Sequence, residues 1–355
     1  MGALDWGRRL LAGLTVIVLA AACAATASPT PPVSPPASTP GPMATPAATA
    51  TATPAPTRTP TPTPTADPTI GVAADDGARI ISIESPTTLQ HTAWVSPGAS
   101  GCPAGSDPGC TVDVGNPIPT ARIRDLTIDS PVLGTTKVRL LLPKHFAAQP
   151  ATRWPVLYLY RGSGGDYTRW TELQDAATLA GPTDLLVVMP EGDNDGTTRW
   201  DTYHLVELRQ LLERNWRAGD RRAVAGMSAG GYEAMHEAAT EPGMFRFAGS
   251  YSGNLDPEIT GYSITNEANL RGTALYVAYG NGDLGTLDHG QPSSYDPDGS
   301  GERWCAAKSA AFVERLAELQ IPVTVYAYGN GTHNAPYWQR DFERSFPLIL
   351  KALGA

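Results

Sequence analysis

From residue 137 onward, short apolar runs alternate with stretches in which apolar side chains return every three or four positions. The runs are "KVRLLLP" (137–143), "PVLYLYRG" (155–162), "DLLVVMPEG" (184–192), "RRAVAGM" (221–227), "RFAGSYSG" (246–253), "TALYVAYG" (273–280) and "PVTVYAYG" (322–329). Most are rich in Val, Leu, Ala or Tyr with little polar alternation, the pattern of strands buried on both faces. Between them, "TYHLVELRQLLERNW", "AGGYEAMHEAA" and "ERWCAAKSAAFVERLAELQ" carry the helical period, and "APYWQRDFERSFPLILKAL" reads as a closing helix. Strands alternating with helices predict an α/β domain, a mostly parallel sheet covered by helices on both faces. In such sheets the chemistry sits at the carboxyl ends of the strands.

The chain before this pattern has a different composition. Arg8 and Arg9 precede an apolar run from Leu10 to Ala22, then Cys23. The run is shorter than the roughly 20 residues that span a bilayer and suits a secretory leader. Small residues immediately before a cysteine resemble a lipobox, although Ala20 stands where leucine is usual. The reading is a signal peptide over 1–23 with lipid attached at Cys23, the alternative being a plain signal peptide cut nearby and a secreted chain. Residues 24–70 are almost wholly Pro, Thr, Ala and Ser, too poor in apolar surface to offset their ordering entropy, and are expected to form an extended tether. Residues 71–120 fit the strand–helix alternation least and read as an extension or β-rich cap. The catalytic domain is expected over 121–355.

Charge and cysteines narrow the partners. A net charge of −9 with no large basic cluster repels phosphate backbones and argues against nucleic acid. Of four cysteines, Cys102 and Cys110 bracket "GCPAGSDPGC", a loop that a disulfide would close in an oxidising compartment. Cys305 is then left unpaired. No CxxC or Cys/His cluster points to a metal, and no cofactor is implied.

Candidate chemistry begins at "RRAVAGMSAGGYEAM", where an apolar strand stops at Ser228 between Gly226 and Gly230. A Gly-x-Ser-x-Gly turn from strand to helix is the form of a nucleophile elbow, whose crowded backbones leave room only for very small neighbours. The pattern also arises by chance, so it needs a base and an acid in the right places. Of six histidines, His333 alone directly follows the last predicted strand, in "YGNGTHNAPYW". A serine hydroxyl is a poor nucleophile near neutral pH until such a base takes its proton. His204 and His236 fall inside predicted helices and read as surface or packing residues.

Two carboxylates stand between Ser228 and His333 where an acid would serve. Asp283 follows a strand, the commoner placement, and Glu302 opens the next helix. Stabilisation of an oxyanion would come from the Ala229 amide and from one in the glycine-rich "RGSGGDYTRW" loop, with Ser163 the candidate.

The motifs "RWDTYHLVELRQLL", "AVAGMSAGGYEAM", "FRFAGSYSGNLDP", "YVAYGNGDLG" and "YGNGTHNAPYW" occur in the order found in the esterase family of α/β-hydrolases, which the chain resembles over about residues 120–352. That family includes esterase D-like enzymes and secreted mycolyltransferases of the antigen 85 type. The resemblance implies Ser228 as nucleophile, His333 as base, and amides of Ser163 and Ala229 as the oxyanion hole. It also places Glu302 ahead of Asp283 as the acid, since the mycolyltransferase glutamate stands at the matching distances from Phe312 and His333. Departures fall at the sugar site. Arg161 and Gly164 replace the aspartate and arginine that handle trehalose, Ala335 replaces a tryptophan, and the loop "EGDNDGTTRW" is short. The expectation is a cell-surface serine esterase acting on a small-molecule or lipid ester. Alternatives are an acyltransferase with a sugar or lipid acceptor, or a non-catalytic surface lipoprotein on a hydrolase scaffold.

Overall fold

The computed structural model describes residues 77–355 apart from 88, 90–91, 96–109, 114–119, 173–175, 193–198, 257–265, 289, 291–292 and 294–295. The expected leader, the Cys23 anchor and the 24–70 tether lie outside the described residues, as does the Cys102–Cys110 bridge, since neither sulfur is described.

Eleven strands are described: β1 (Arg79–Glu84), β2 (Thr92–Val95), β3 (Cys110–Asp113), β4 (Ile123–Ser130), β5 (Gly134–Leu141), β6 (Trp154–Tyr160), β7 (Leu186–Pro190), β8 (Ala218–Met227), β9 (Phe247–Tyr251), β10 (Ala274–Tyr279) and β11 (Val323–Ala327). β2 and β3 pair with each other. The other nine form one mixed sheet in the order β1-β4-β5-β7-β6-β8-β9-β10-β11. From β7 to β11 neighbours are parallel, while β1, β4 and β5 form an antiparallel arm.

The helices are α1 (Arg169–Glu172), α2 (Ala176–Ala180), α3 (Arg199–Thr202), α4 (Arg209–Asn215), α5 (Ala229–Thr240), α6 (Ser300–Glu318) and α7 (Ala335–Leu353). A π-helical turn, Tyr203–Leu208, joins α3 to α4, so the helix expected over 202–216 is one run with an irregular middle.

Strand β6 shows why the sequence barely alternates: all seven of its residues are buried. Val156, Tyr158 and Tyr160 pack into one apolar layer with Leu208, Leu212, Tyr232 and Phe312. Leu157 and Leu159 face the other layer, with Trp170, Phe247, Phe342 and Ile349. Two-sided burial removes the polar half of the period, and each large side chain taken from water contributes about 1.5–3 kcal/mol. The closing helix α7 is punctuated as its sequence suggests. Asn334 caps it by accepting from the Ala335 amide at 2.8 Å, and Gly354 leaves it in the left-handed region.

Strand order decides where a ligand can lie. After β6 the chain crosses to β7 on one side, and it then returns to place β8 on the other. The crossovers diverge there, leaving a crevice beyond the carboxyl ends of β6 and β8.

Candidate active site

Ser228 follows β8 at that crevice, with φ 51° and ψ −124°. A positive φ is strained for serine and is held here by the surroundings. Its amide donates to the Tyr251 carbonyl at 2.9 Å, and its carbonyl accepts from Gly231 and Tyr232 as α5 begins. Flanking glycines are obligatory: a Cβ on Gly226 would lie 2.1 Å from the Gly230 carbonyl oxygen, and one on Gly230 would lie 2.4 Å from those of Tyr160 and Arg161.

His333 sits on the loop between β11 and α7, with its Nε2 2.8 Å from Ser228 Oγ and its Nδ1 2.7 Å from Glu302 Oε2. The edge of its ring meets Trp338, centroids 4.9 Å apart. That loop is tied down by Asp288, which accepts hydrogen bonds from Thr332 and from the Tyr337 hydroxyl.

Glu302, in the first turn of α6, is fully buried. Its Oε1 accepts from the Gly280 amide at 2.6 Å and Ser252 Oγ at 2.8 Å, with Tyr328 OH at 3.4 Å. Asp296 fixes its backbone by accepting from the Gly301 and Glu302 amides at 2.8 and 3.0 Å. A buried carboxylate is costly unless donors surround it, and Glu302 has them. Asp283 points elsewhere. Its side chain is 65% exposed and 3.6 Å from the Arg303 guanidinium. The structure therefore brings Ser228, His333 and Glu302 into one hydrogen-bonded chain and leaves Asp283 at the surface.

The loop after β6 lies against the serine, close enough that a Cβ on Gly162 would be 3.2 Å from Ser228 Cβ. Ser163 and Ala229 border one cavity of about 200 Å³, together with Gly164, Gly165 and Gly192. Ala229 begins α5, so this cavity meets the amide end of a helix, which favours negative charge. Arg161 braces the loop. Its guanidinium donates to the Gly162 carbonyl at 3.0 Å and to that of Gly192, and lies 3.4 Å from Glu191. A neighbouring cavity of about 380 Å³ shares Arg161 and Gly192 and adds Lys137, Arg199 and Trp200.

Sequence reasoning missed one cluster beside this cavity. His204, expected as a surface or packing residue, is fully buried with its Nδ1 2.8 Å from Glu237 and 3.2 Å from Glu233. Burial pushes the Glu237 carboxyl above the usual carboxylate range, although His204 pulls it down. Burial also opposes charge on His204, but Glu237 and Glu233 outweigh it and raise its pKa well above the usual range. The signal available was the four-residue spacing of Glu233 and Glu237 on one helix face. His236 is partly buried, 3.0 Å from Asp201.

A family model described as putative esterase matches residues 132–349. An esterase of Mycobacterium tuberculosis is 32% identical over 158 residues, covering 40% of this chain and 34% of that protein. The MPT51 antigen of Mycobacterium leprae is 36% identical over 143 residues, covering 37% of this chain and 46% of the antigen. The chain thus spans between about a third and a half of the length of these curated relatives. Among solved structures, a ferulic acid esterase superposes with a TM-score of 0.53 at 19% identity, over 65% of this chain and 98% of the other. MPT51 of Mycobacterium tuberculosis gives 0.52 at 18%, over 63% and 96%. These structural likenesses show the α/β-hydrolase fold.

Proposed function

The chain belongs to the putative esterase family of α/β-hydrolases, and on that premise we propose that it is a serine carboxylic-ester hydrolase working through an acyl-enzyme. The observation that carries this reading is the unbroken contact chain from Ser228 Oγ through His333 to buried Glu302, beside a glycine-rich cavity. Ser228 Oγ attacks the ester carbonyl carbon while His333 Nε2 takes the hydroxyl proton. Glu302 holds Nδ1–H and balances the imidazolium. The carbonyl oxygen becomes an oxyanion held by the amides of Ser163 and Ala229. Collapse breaks the bond to the alcohol, which leaves with the proton from His333. Water, deprotonated by the same nitrogen, then attacks the acyl-serine, releasing the acid and restoring Ser228.

Hydrolysis is favoured over transfer to a sugar because Arg161 is committed to bracing Gly162, Gly192 and Glu191. Two of its nitrogens support the oxyanion loop, at the position where the mycolyltransferases carry an aspartate that handles the acceptor sugar. The leader-like residues 1–23, the cysteine at 23 and the tether composition of 24–70 support display of the 121–355 catalytic domain at the cell surface through a lipid on Cys23.

The test is a panel of p-nitrophenyl esters of rising acyl length, assayed in water and with added sugar or lipid alcohols. The expected result is turnover with free acid equal to p-nitrophenol released, reduced by about 10⁴ or more in Ser228→Ala. Equal rates in wild type and Ser228→Ala would refute the assignment, and acyl transfer outrunning acid release would make the enzyme a transferase.

A further inference from the structure

Behind the oxyanion loop the fold gathers three side chains that ester hydrolysis does not use. His204 stands on the π-helical turn between α3 and α4, an irregularity that often marks a functional position. Glu233 and Glu237 lie one turn apart on α5. All three are buried, and one donor atom from each falls within 4.8 Å of the others.

His204 Nε2 is 2.9 Å from the Glu191 backbone carbonyl. A carbonyl oxygen only accepts, so Nε2 carries the hydrogen, and Nδ1 faces the two carboxylates. This outer hydrogen bond is the one that metal-bound imidazoles usually make. A lone pair aimed at two carboxylates is repulsive, so Nδ1 must share the space with a cation, whether a proton or a metal ion.

A proton satisfies the cluster incompletely. It bridges Nδ1 to Glu237 at 2.8 Å, while Glu233 Oε1, buried and 3.2 Å from the same nitrogen, has no hydrogen bond of its own. The other oxygen of Glu237 accepts from Tyr160 OH. A divalent cation beside a neutral imidazole balances both carboxylates. There is a route: Gly192 packs closely on Glu233, and the cavity of about 200 Å³ is lined by both residues.

We propose that His204, Glu233 and Glu237 bind one divalent cation of borderline softness, of the Zn²⁺ class, beside the hydrolytic site and not within it. One imidazole nitrogen and two carboxylates form a donor set that suits such ions, with water from the cavity completing the shell. The ion displaces the Nδ1 proton, which leaves to solvent. It would clamp α5 to the π-helical turn and, through Glu191 and Gly192, to the braced loop of Arg161. Nothing in this depends on Ser228 acting as a nucleophile.

The experiment uses the full chain, stripped with a chelator and titrated with Co²⁺ as a spectroscopic probe and Zn²⁺ as competitor. Visible cobalt absorption should saturate at one ion per chain and disappear as Zn²⁺ is added. It should be absent in Glu233→Gln and present in Ser228→Ala and in His145→Ala, which removes the exposed His145–Asp184 pair. Zn²⁺ should raise the Tm of wild type by several degrees and leave Glu233→Gln unmoved, with near-ultraviolet circular dichroism showing that this variant is folded. Should Glu233→Gln fail to fold, the wild-type titration decides alone. No saturable cobalt spectrum in wild type, or one that survives in folded Glu233→Gln or vanishes in His145→Ala or Ser228→Ala, overturns the proposal.

Discussion

At the scale of single residues, the account rests on which carboxylate faces the imidazole. Glu302 reaches His333 at 2.7 Å and is held by Gly280 and Ser252, while Asp283 is exposed beside Arg303. Glu302→Gln keeps the shape but cannot stabilise the imidazolium, and its kcat should fall by about 10⁴, as in other serine–histidine–acid centres. Asp283→Asn should stay within a few-fold of wild type. Ester turnover measured beside a thermal melt checks both, and a crippled Asp283→Asn with a normal Glu302→Gln would reverse the assignment. The elbow makes a second prediction. Gly230→Ala would put a methyl 2.4 Å from two carbonyl oxygens, so the elbow must shift. Overpacking of this kind costs about 1–3 kcal/mol, and moving Ser228 Oγ off its 2.8 Å contact should remove most activity. A variant with wild-type turnover would mean the strained turn is not needed.

At the scale of elements, α7 carries a titration that can be read in stability. Burial pushes the Asp341 carboxyl from 3.8 to about 7, although Arg340 pulls it down. Between those values the native chain keeps a proton that the unfolded chain has released, so this residue makes stability fall as pH rises through that window. At about 1.4 kcal/mol per unit, the difference between pH 4 and pH 8 approaches 4 kcal/mol at most. Asp341→Asn should remove that part of the slope, seen as denaturation midpoints that gain on wild type from pH 4 to pH 8. Parallel curves would contradict it. The elements themselves were unevenly legible. β6, β7 and β9, with the second half of β8 and the middle of β10, announce themselves because burial on both faces leaves almost no polar positions. β4, "IRDLTIDS", does alternate in burial, but Arg124, Asp125 and Asp129 dilute its hydropathy, and the sequence reading did not assign it. β1 likewise reads as part of an extension, yet it pairs with β4 at the sheet edge. Ser228, His333 and the loop after β6 were legible from chain order. Generic placement after a strand favoured Asp283 and the resemblance to the mycolyltransferases favoured Glu302. The packing of Gly280 and Ser252 around Glu302 puts that carboxylate, and not Asp283, against His333. The His204 cluster left only the four-residue spacing of Glu233 and Glu237 on α5 to be read, because its third member stands on the separate π-helical turn.

At the scale of the whole molecule, the proposed anchor and the proposed chemistry can be tested apart. If Cys23 carries lipid, detergent phase separation should place wild type in the detergent phase and move Cys23→Ser to the aqueous phase with ester turnover unchanged. Identical partitioning would remove the anchor and leave the enzyme intact. The catalytic claim is that segments far apart in sequence, after β6, after β8, at the head of α6 and after β11, converge on one strained serine. Strand order explains the meeting place, because β6 and β8 flank the crevice where the crossovers diverge. The most direct measurement is reaction with a fluorophosphonate probe, read by intact mass and peptide mapping. The account predicts one adduct per wild-type chain, located on Ser228, absent in Ser228→Ala and greatly slowed in His333→Ala. An adduct that persists in Ser228→Ala, or a wild-type chain that takes up no probe, would contradict it.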